Sequence, residues 1–165
     1  MKRLFQLLLL SSLLPLIPQL AHSQGNTNNA LNNAGRLQIT TSSCSRNLEE
    51  QSQAPCSRLV IDQLDQRMLS IRILARGEHP DASNQLTFAG TSKEQLQCQF
   101  SRCKIAGPLE LELSSISEVS YDRNGVAEEL PKAWPVIGTC RLEAHKLSCE
   151  ARSIQGQKWQ ASAGF

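Results

Sequence analysis

The chain has 165 residues, of which 40% are hydrophobic, 4% aromatic and 19% charged, with a formal net charge of +2. This length fits one domain. The near-neutral charge offers no basic surface to neutralise a phosphate backbone, which argues against a nucleic-acid partner.

The N-terminus has the organisation of a secretory signal peptide. A basic Lys2-Arg3 pair precedes a leucine-rich run, and Ala21-His22-Ser23 supplies small residues for cleavage before Gln24. We therefore predict a leader at 1–23 and a secreted or periplasmic mature chain with no membrane span. Residues 24–36 are asparagine-rich and lack an apolar period, which predicts a disordered spacer. The remaining residues, 37–165, are predicted to form one β-domain.

All six cysteines follow the leader. An even number of cysteines in an exported chain is typical of disulfide bonds. Bonded cysteines cannot act as thiolate nucleophiles. Their local spacing favours the pairs Cys44–Cys56, Cys98–Cys103 and Cys140–Cys149.

Hydrophobic residues recur with a period of two along the domain. Residues 58–62 form a β-branched run before a turn at 63–66, and Leu69, Ile71 and Ile73 then alternate with polar residues. Both patterns are typical of strands.

The longest predicted strand is LELELSSISEVSY, 109–121, which ends before an Asn124-Gly125 turn. Strict alternation would place Glu110, Glu112 and Glu118 on the solvent face. The same alternation would place five side chains on the core face: Leu109, Leu111, Leu113, Val119 and Tyr121.

Two cysteine pairs fit tight hairpins. With Ala144-His145 at the tip, Leu142 faces Leu147 and Cys140 faces Cys149. With Phe100-Ser101 at the tip of a second hairpin, Cys98 faces Cys103. Both cysteine pairs then occupy non-hydrogen-bonded positions, where Cα atoms approach to about 4.5 Å. Neither tip contains glycine or asparagine, so four-residue tips are an alternative that keeps the cysteines opposed.

Three more strands are predicted at 136–142, 147–154 and 158–165, and short helical turns at 47–51 and 91–96. The fold class is therefore all-β, a small antiparallel barrel or sandwich built from hairpins and stapled by disulfides.

The pattern of chemically active residues argues against catalysis. The two histidines after the leader, His79 and His145, stand apart from the cysteines, whereas zinc sites need closely spaced ligands. Glu110 and Glu112 are interpreted as a solvated strand face. We expect no metal, no cofactor and no enzymatic activity.

The most suggestive segment for binding is LPKAWP, 130–135, where two prolines restrict a chain that carries Lys132 and Trp134. A stiff aromatic loop suits recognition because it loses little entropy on contact. The alternative is that Trp134 folds back to plug one end of the sheet core.

Together these patterns favour an exported, non-catalytic binding or envelope-associated accessory domain with a protein or small-molecule partner. A second hypothesis is a small barrel that carries an apolar ligand in a cavity lined by Ile71, Leu111 and Trp159. A third, a small hydrolase, would need His79 or His145 beside a carboxylate.

Overall fold

The computed structural model describes residues 34–48, 51–77, 79 and 81–165, and the regular elements in these residues are all strands. The predicted leader at 1–23 and the spacer residues 24–33 lie outside the described residues. The last two residues of the predicted spacer, Gly35 and Arg36, open the first strand instead.

The described residues form twelve strands in one sheet, in the order β3-β2-β12-β11-β10-β9-β6-β5-β4-β1-β8-β7. Their bounds are β1 Gly35–Thr40, β2 Ser43–Leu48, β3 Gln51–Pro55, β4 Arg58–Gln63, β5 Met68–Arg76, β6 Ser83–Ser92, β7 Gln97–Gln99, β8 Arg102–Lys104, β9 Leu109–Tyr121, β10 Lys132–Glu143, β11 Lys146–Ser153 and β12 Lys158–Gly164.

The sheet curls back to its own first strand. Only Thr41 and Ser42 separate β1 from β2, and only two residues separate β3 from β4, so each pair is one long bent strand. β1 pairs with β4 and β2 with β3, all antiparallel. The chain then meanders through β5, β6, β9, β10, β11 and β12, and β12 pairs with β2. Eight long antiparallel strands therefore curl into a barrel.

The small β7–β8 hairpin lies outside this meander and covers one end of the barrel. It joins β1 in parallel, with Arg36 opposite Arg102. Just before it, the buried Leu96 donates its N–H to Gln63 Oε1 at 2.7 Å. We call the end of the barrel that this hairpin covers the hairpin end. The strand registers also place the β4–β5 and β10–β11 turns at this end. The opposite end carries Trp134 and Trp159 and the β5–β6, β9–β10 and β11–β12 connections. We call it the tryptophan end.

Inward-facing side chains fill the barrel. Ile71, Phe88 and Leu111 have no exposed surface and belong to one hydrophobic core. Two glycines allow the strands to approach closely: a Cβ on Gly90 would lie 2.0 Å from the Glu112 carbonyl oxygen, and one on Gly138 would lie 2.1 Å from that of Glu150. No larger residue fits either position without moving backbone.

The predicted all-β fold is confirmed, and each predicted strand lies within a few residues of an observed one, but β1, β2, β3 and β6 were not predicted. The main difference in extent is β10, which begins at Lys132 rather than at 136. The helical turn predicted at 91–96 is wrong. Thr91 and Ser92 end β6, and the Ser92 hydroxyl accepts the Glu94 N–H in a local turn. The turn predicted at 47–51 falls on the end of β2 and the start of β3, apart from residues 49–50, which lie outside the described residues.

The predicted hairpin registers are confirmed. Cys140 pairs with Cys149 and Cys98 with Cys103, and both bonded pairs have a Cα–Cα distance of 4.0 Å. The tips are two residues long, not four, although they lack glycine. Ala144 has φ 48°, and Phe100 and Ser101 have φ 49° and 63°. The third predicted disulfide, Cys44–Cys56, is also present.

Candidate functional site

Four inward side chains meet in the barrel at the tryptophan end: Arg46 of β2, Glu118 of β9, Trp134 of β10 and Trp159 of β12. Trp159 has no exposed surface, and its ring centroid lies 5.1 Å from that of the half-buried Trp134. Opposite Trp159 on β11 is Ala151, and opposite Ala151 on β10 is Gly138. This row of small residues leaves room for the indole of Trp159.

A β-bulge places Glu118 inside the barrel. The register of β9 against β6 shifts between Ala89 and Gly90, so Ser114 is an extra residue. Leu113 and Ile116 are consequently both buried, because a bulge exchanges the faces that follow it. After the bulge, Glu118 shares a face with the buried Leu86 opposite it.

The predicted faces of the second half of β9 are therefore wrong. Glu118 points into the barrel, whereas Val119 and Tyr121 lie on the outer face and are only half-buried. Inside the barrel, the Trp159 Nε1–H donates to Glu118 Oε1 at 2.7 Å. This hydrogen bond links β12 to β9 across the end of the barrel.

Arg46 adds a buried positive charge to this cluster. Arg46 is 1% exposed. It lies opposite Ala161 of β12, and Ala161 in turn lies opposite Cys149 of β11. Burial lowers the pKa of the guanidinium, and the charge of Glu118 acts in the opposite direction. Arg46 Nε and Nη1 are buried without a hydrogen-bond acceptor. We name these four residues, Arg46, Glu118, Trp134 and Trp159, the plug.

The segment predicted as a binding loop is divided between a loop and a strand. Lys132 and Trp134 both lie in β10, with Lys132 opposite Glu118 and Trp134 opposite Ile116. Trp134 contacts Trp159 inside the barrel. This contact agrees with the alternative interpretation, in which Trp134 packs into one end of the sheet core and is not part of a binding loop. Lys132 is exposed at the rim, beside the loop formed by 122–131.

The rim loop carries exposed apolar side chains and has an ordered start. Leu130 is 90% exposed and Val126 62% exposed. Asp122 Oδ1 accepts the N–H groups of Asn124 and Val126 at 2.8 and 2.9 Å, and these bonds lower the pKa of Asp122. Beside the loop is a depression of about 80 Å³ lined in part by Asn84, Ser120 and Lys132.

The candidates for catalysis lie apart. His79 is exposed in the β5–β6 connection at the tryptophan end, and His145 is exposed at the β10–β11 tip at the hairpin end, where its ring centroid lies 6.2 Å from that of Phe165. The described ranges contain no group of three or more His, Cys, Asp or Glu side chains placed to hold a metal ion. Nor does any helix within those ranges reach the length and hydrophobicity of a membrane span.

Sequence reasoning missed Arg46 and the inward position of Glu118. A signal for Glu118 was present, because the apolar residues of β9 change from odd positions up to Leu113 to the even position Ile116. Comparison with family models, curated proteins and solved structures finds no match to this chain.

Proposed function

We propose that this protein is an exported, non-catalytic binding domain that recognises its partner through the rim loop 122–131 and the adjoining Lys132. The observation that carries the proposal is the pair of exposed apolar side chains, Val126 and Leu130, on a loop held at both ends. Binding residues are disproportionately found on loops that a rigid scaffold positions.

The filled interior favours surface binding over transport of a ligand inside the barrel. Ile71, Leu111 and Trp159 have no exposed surface, so they line no interior space that a water molecule could enter. The groove of about 420 Å³ that Trp159 borders is open to solvent. An apolar ligand pocket would need several hundred Å³ of such interior space.

The geometry of the rim loop supports recognition. Asp122 orders its start through backbone hydrogen bonds, and the Trp134–Trp159 contact anchors the strand that follows it. A loop fixed in this way loses little conformational entropy when it binds. Lys132 lies at the rim near the exposed Glu128 and Glu129, so the rim presents charges of both signs around its apolar side chains.

Export is supported by the cysteines and by the N-terminal sequence. Three disulfides indicate an oxidising, extracellular environment. The sequence at 1–23 fits a leader that would direct the chain there. N-terminal sequencing of protein recovered from the producing organism should give a start at or near Gln24, and a retained Met1 would contradict this part of the proposal.

Site-specific photocrosslinking tests the rim loop. A photoreactive phenylalanine analogue is placed at Leu130, and at Ile154 as the matched control, since Ile154 is 80% exposed in the β11–β12 turn at the same end. Incubated with the native secreted or envelope fraction, the 130 probe should give one adduct of defined mass. Excess unlabelled protein should compete it away, whereas a Leu130→Ser/Lys132→Glu variant should not. Equal crosslinking from both positions, or none from 130, would refute the rim loop as the binding surface.

A further inference from the structure

A second exposed feature lies at the opposite end of the barrel. Phe100, at the tip of the β7–β8 hairpin, is 92% exposed, slightly more than Leu130. Both tip residues have positive φ values, which non-glycine residues rarely adopt. A two-residue hairpin tip requires such values, and the adjoining disulfide and strand ladder hold the tip in this conformation.

The hairpin is held firmly behind its tip. The Cys98–Cys103 disulfide closes it, and the Ser101 carbonyl accepts the N–H of Arg36 at 3.0 Å. Gly35 packs directly beneath the bridge, since a Cβ there would lie 2.5 Å from Cys103 Sγ. Phe100 is therefore presented on a rigid base and points away from the core.

The hairpin is positively charged. The fourteen residues 95–108 contain Arg102 and Lys104 and no acidic residue. Both cations are exposed, and neither forms an ion pair with an acidic residue in the described ranges. The neighbouring Arg36 differs, because it forms an ion pair with Asp62 at 2.6 Å, a carboxylate that it shares with Arg72.

Two further apolar side chains are exposed at the same end. Leu64, in the β4–β5 turn that follows Gln63, is 57% exposed, and Met68, the first residue of β5, is 47% exposed. Asp65 of this turn has its carboxylate directed to backbone, where it accepts the N–H groups of Arg67 and Met68 at 2.7 and 2.8 Å.

We infer that the β7–β8 hairpin docks the protein on an anionic lipid surface, with Phe100 inserted among the headgroups and Arg102 and Lys104 against their negative charges. Apolar insertion combined with basic side chains is the established physical basis of peripheral membrane binding. A convex tip on an eight-residue hairpin suits a lipid surface better than a protein. A stable protein interface needs roughly 800 Å² from each partner.

This inference rests on the proposed export, because an exported domain meets the outer surface of a membrane, but it does not depend on the rim loop. The two proposals can therefore fail separately. Crosslinking from Leu130 tests one end, and the vesicle assay below tests the other.

The test is co-sedimentation of the oxidised, purified protein with vesicles of phosphatidylcholine alone or mixed with phosphatidylglycerol. We expect binding to the mixed vesicles that weakens as salt is added. Phe100→Ser should reduce the partition coefficient about tenfold or more, and so should Arg102→Gln/Lys104→Gln. Ile154→Ser is the matched control and should bind like the parent, because it removes an 80% exposed apolar residue at the other end that belongs to neither proposed surface.

Three results would overturn the inference. These are the absence of binding to mixed vesicles, binding that is independent of Phe100, and an equal loss in Ile154→Ser. If no vesicle binds, an acidic protein pocket becomes the better partner for the hairpin. Peptide mapping of the Cys98–Cys103 bridge in each variant verifies that the hairpin is intact.

Discussion

The two ends of the barrel are closed in different ways. At the tryptophan end, side chains of the meander itself fill the opening, and Trp159 bonds to Glu118 across it. At the hairpin end, the inserted segment between β6 and β9 covers the opening from outside and carries its own disulfide. In the first arrangement, the rim loop adjoins side chains that stabilise the core. In the second, Phe100 can be substituted without removing a core contact.

The largest effect should come from Trp159→Ala. The substitution removes the largest fully buried side chain and the donor to Glu118. We expect a loss of about 3–5 kcal/mol in the free energy of unfolding, measured by urea denaturation. Trp134→Ala should cost only about 1–2 kcal/mol, because its side chain is half-buried.

Trp159→Phe separates the two contributions of the indole. Phenylalanine keeps most of the apolar contact but cannot donate to Glu118. We expect a loss of about 2 kcal/mol, in the range for a hydrogen bond to a charged acceptor. A loss equal to that of Trp159→Ala would show that ring volume matters little, which would contradict the plug as described.

After Trp159→Ala, the next largest effect should come from loss of a disulfide, and the bridge that faces the barrel interior should matter more than Cys98–Cys103. Cys140 is 0% and Cys149 1% exposed, facing the barrel interior, so alanine is a better replacement than serine. Loop entropy predicts about 3 kcal/mol for losing this bridge and about 2 kcal/mol for losing Cys98–Cys103, whose loop is shorter. The reverse order in thermal or urea unfolding would contradict this comparison of the ends.

The parts of the fold that sequence predicted well are local. The registers of both cysteine hairpins followed from period two and from the need to oppose the sulfur atoms, and the structure has both. The tip length was less predictable, because Phe100, Ser101 and Ala144 adopt positive φ values that the residue types disfavour. The adjoining disulfide and ladder impose those conformations.

The parts that sequence reasoning missed depend on distant contacts. The pairing of β2 with β12 joins residues more than a hundred positions apart, such as Arg46 and Ala161, and no local pattern specifies it. The buried arginine follows from that pairing. The position of Glu118 depends on a one-residue bulge at Ser114, which reverses a face assignment made by strict alternation.

A stabilising change is expected at the β10–β11 tip. Ala144 has φ 48°, a conformation that glycine adopts without steric cost. Ala144→Gly should therefore raise the free energy of unfolding by about 0.5–1 kcal/mol, after allowing for the greater freedom of glycine in the unfolded chain. Differential scanning calorimetry would show a small rise in Tm, and His145→Ala at the next position serves as a control that should change little.

The smallest effect concerns acid pH, and each end has one residue to test it. The N–H groups of Arg67 and Met68 lower the pKa of Asp65 at the hairpin end, and those of Val126 and Asn124 lower that of Asp122 at the tryptophan end. A lowered folded-state pKa means that each carboxylate stabilises the fold above its ordinary pKa of 3.8 and loses this contribution as pH falls through the folded value. Asp65→Asn and Asp122→Asn should each flatten the fall in stability below about pH 4, measured as urea midpoints across that range.

Hydrogen exchange should separate the two ends of the barrel. Asp122→Asn should increase amide exchange at Val126 while leaving Met68 protected, and Asp65→Asn should increase exchange at Met68 while leaving Val126 protected. Simultaneous loss of protection at both positions in either variant would show that the ends do not open independently.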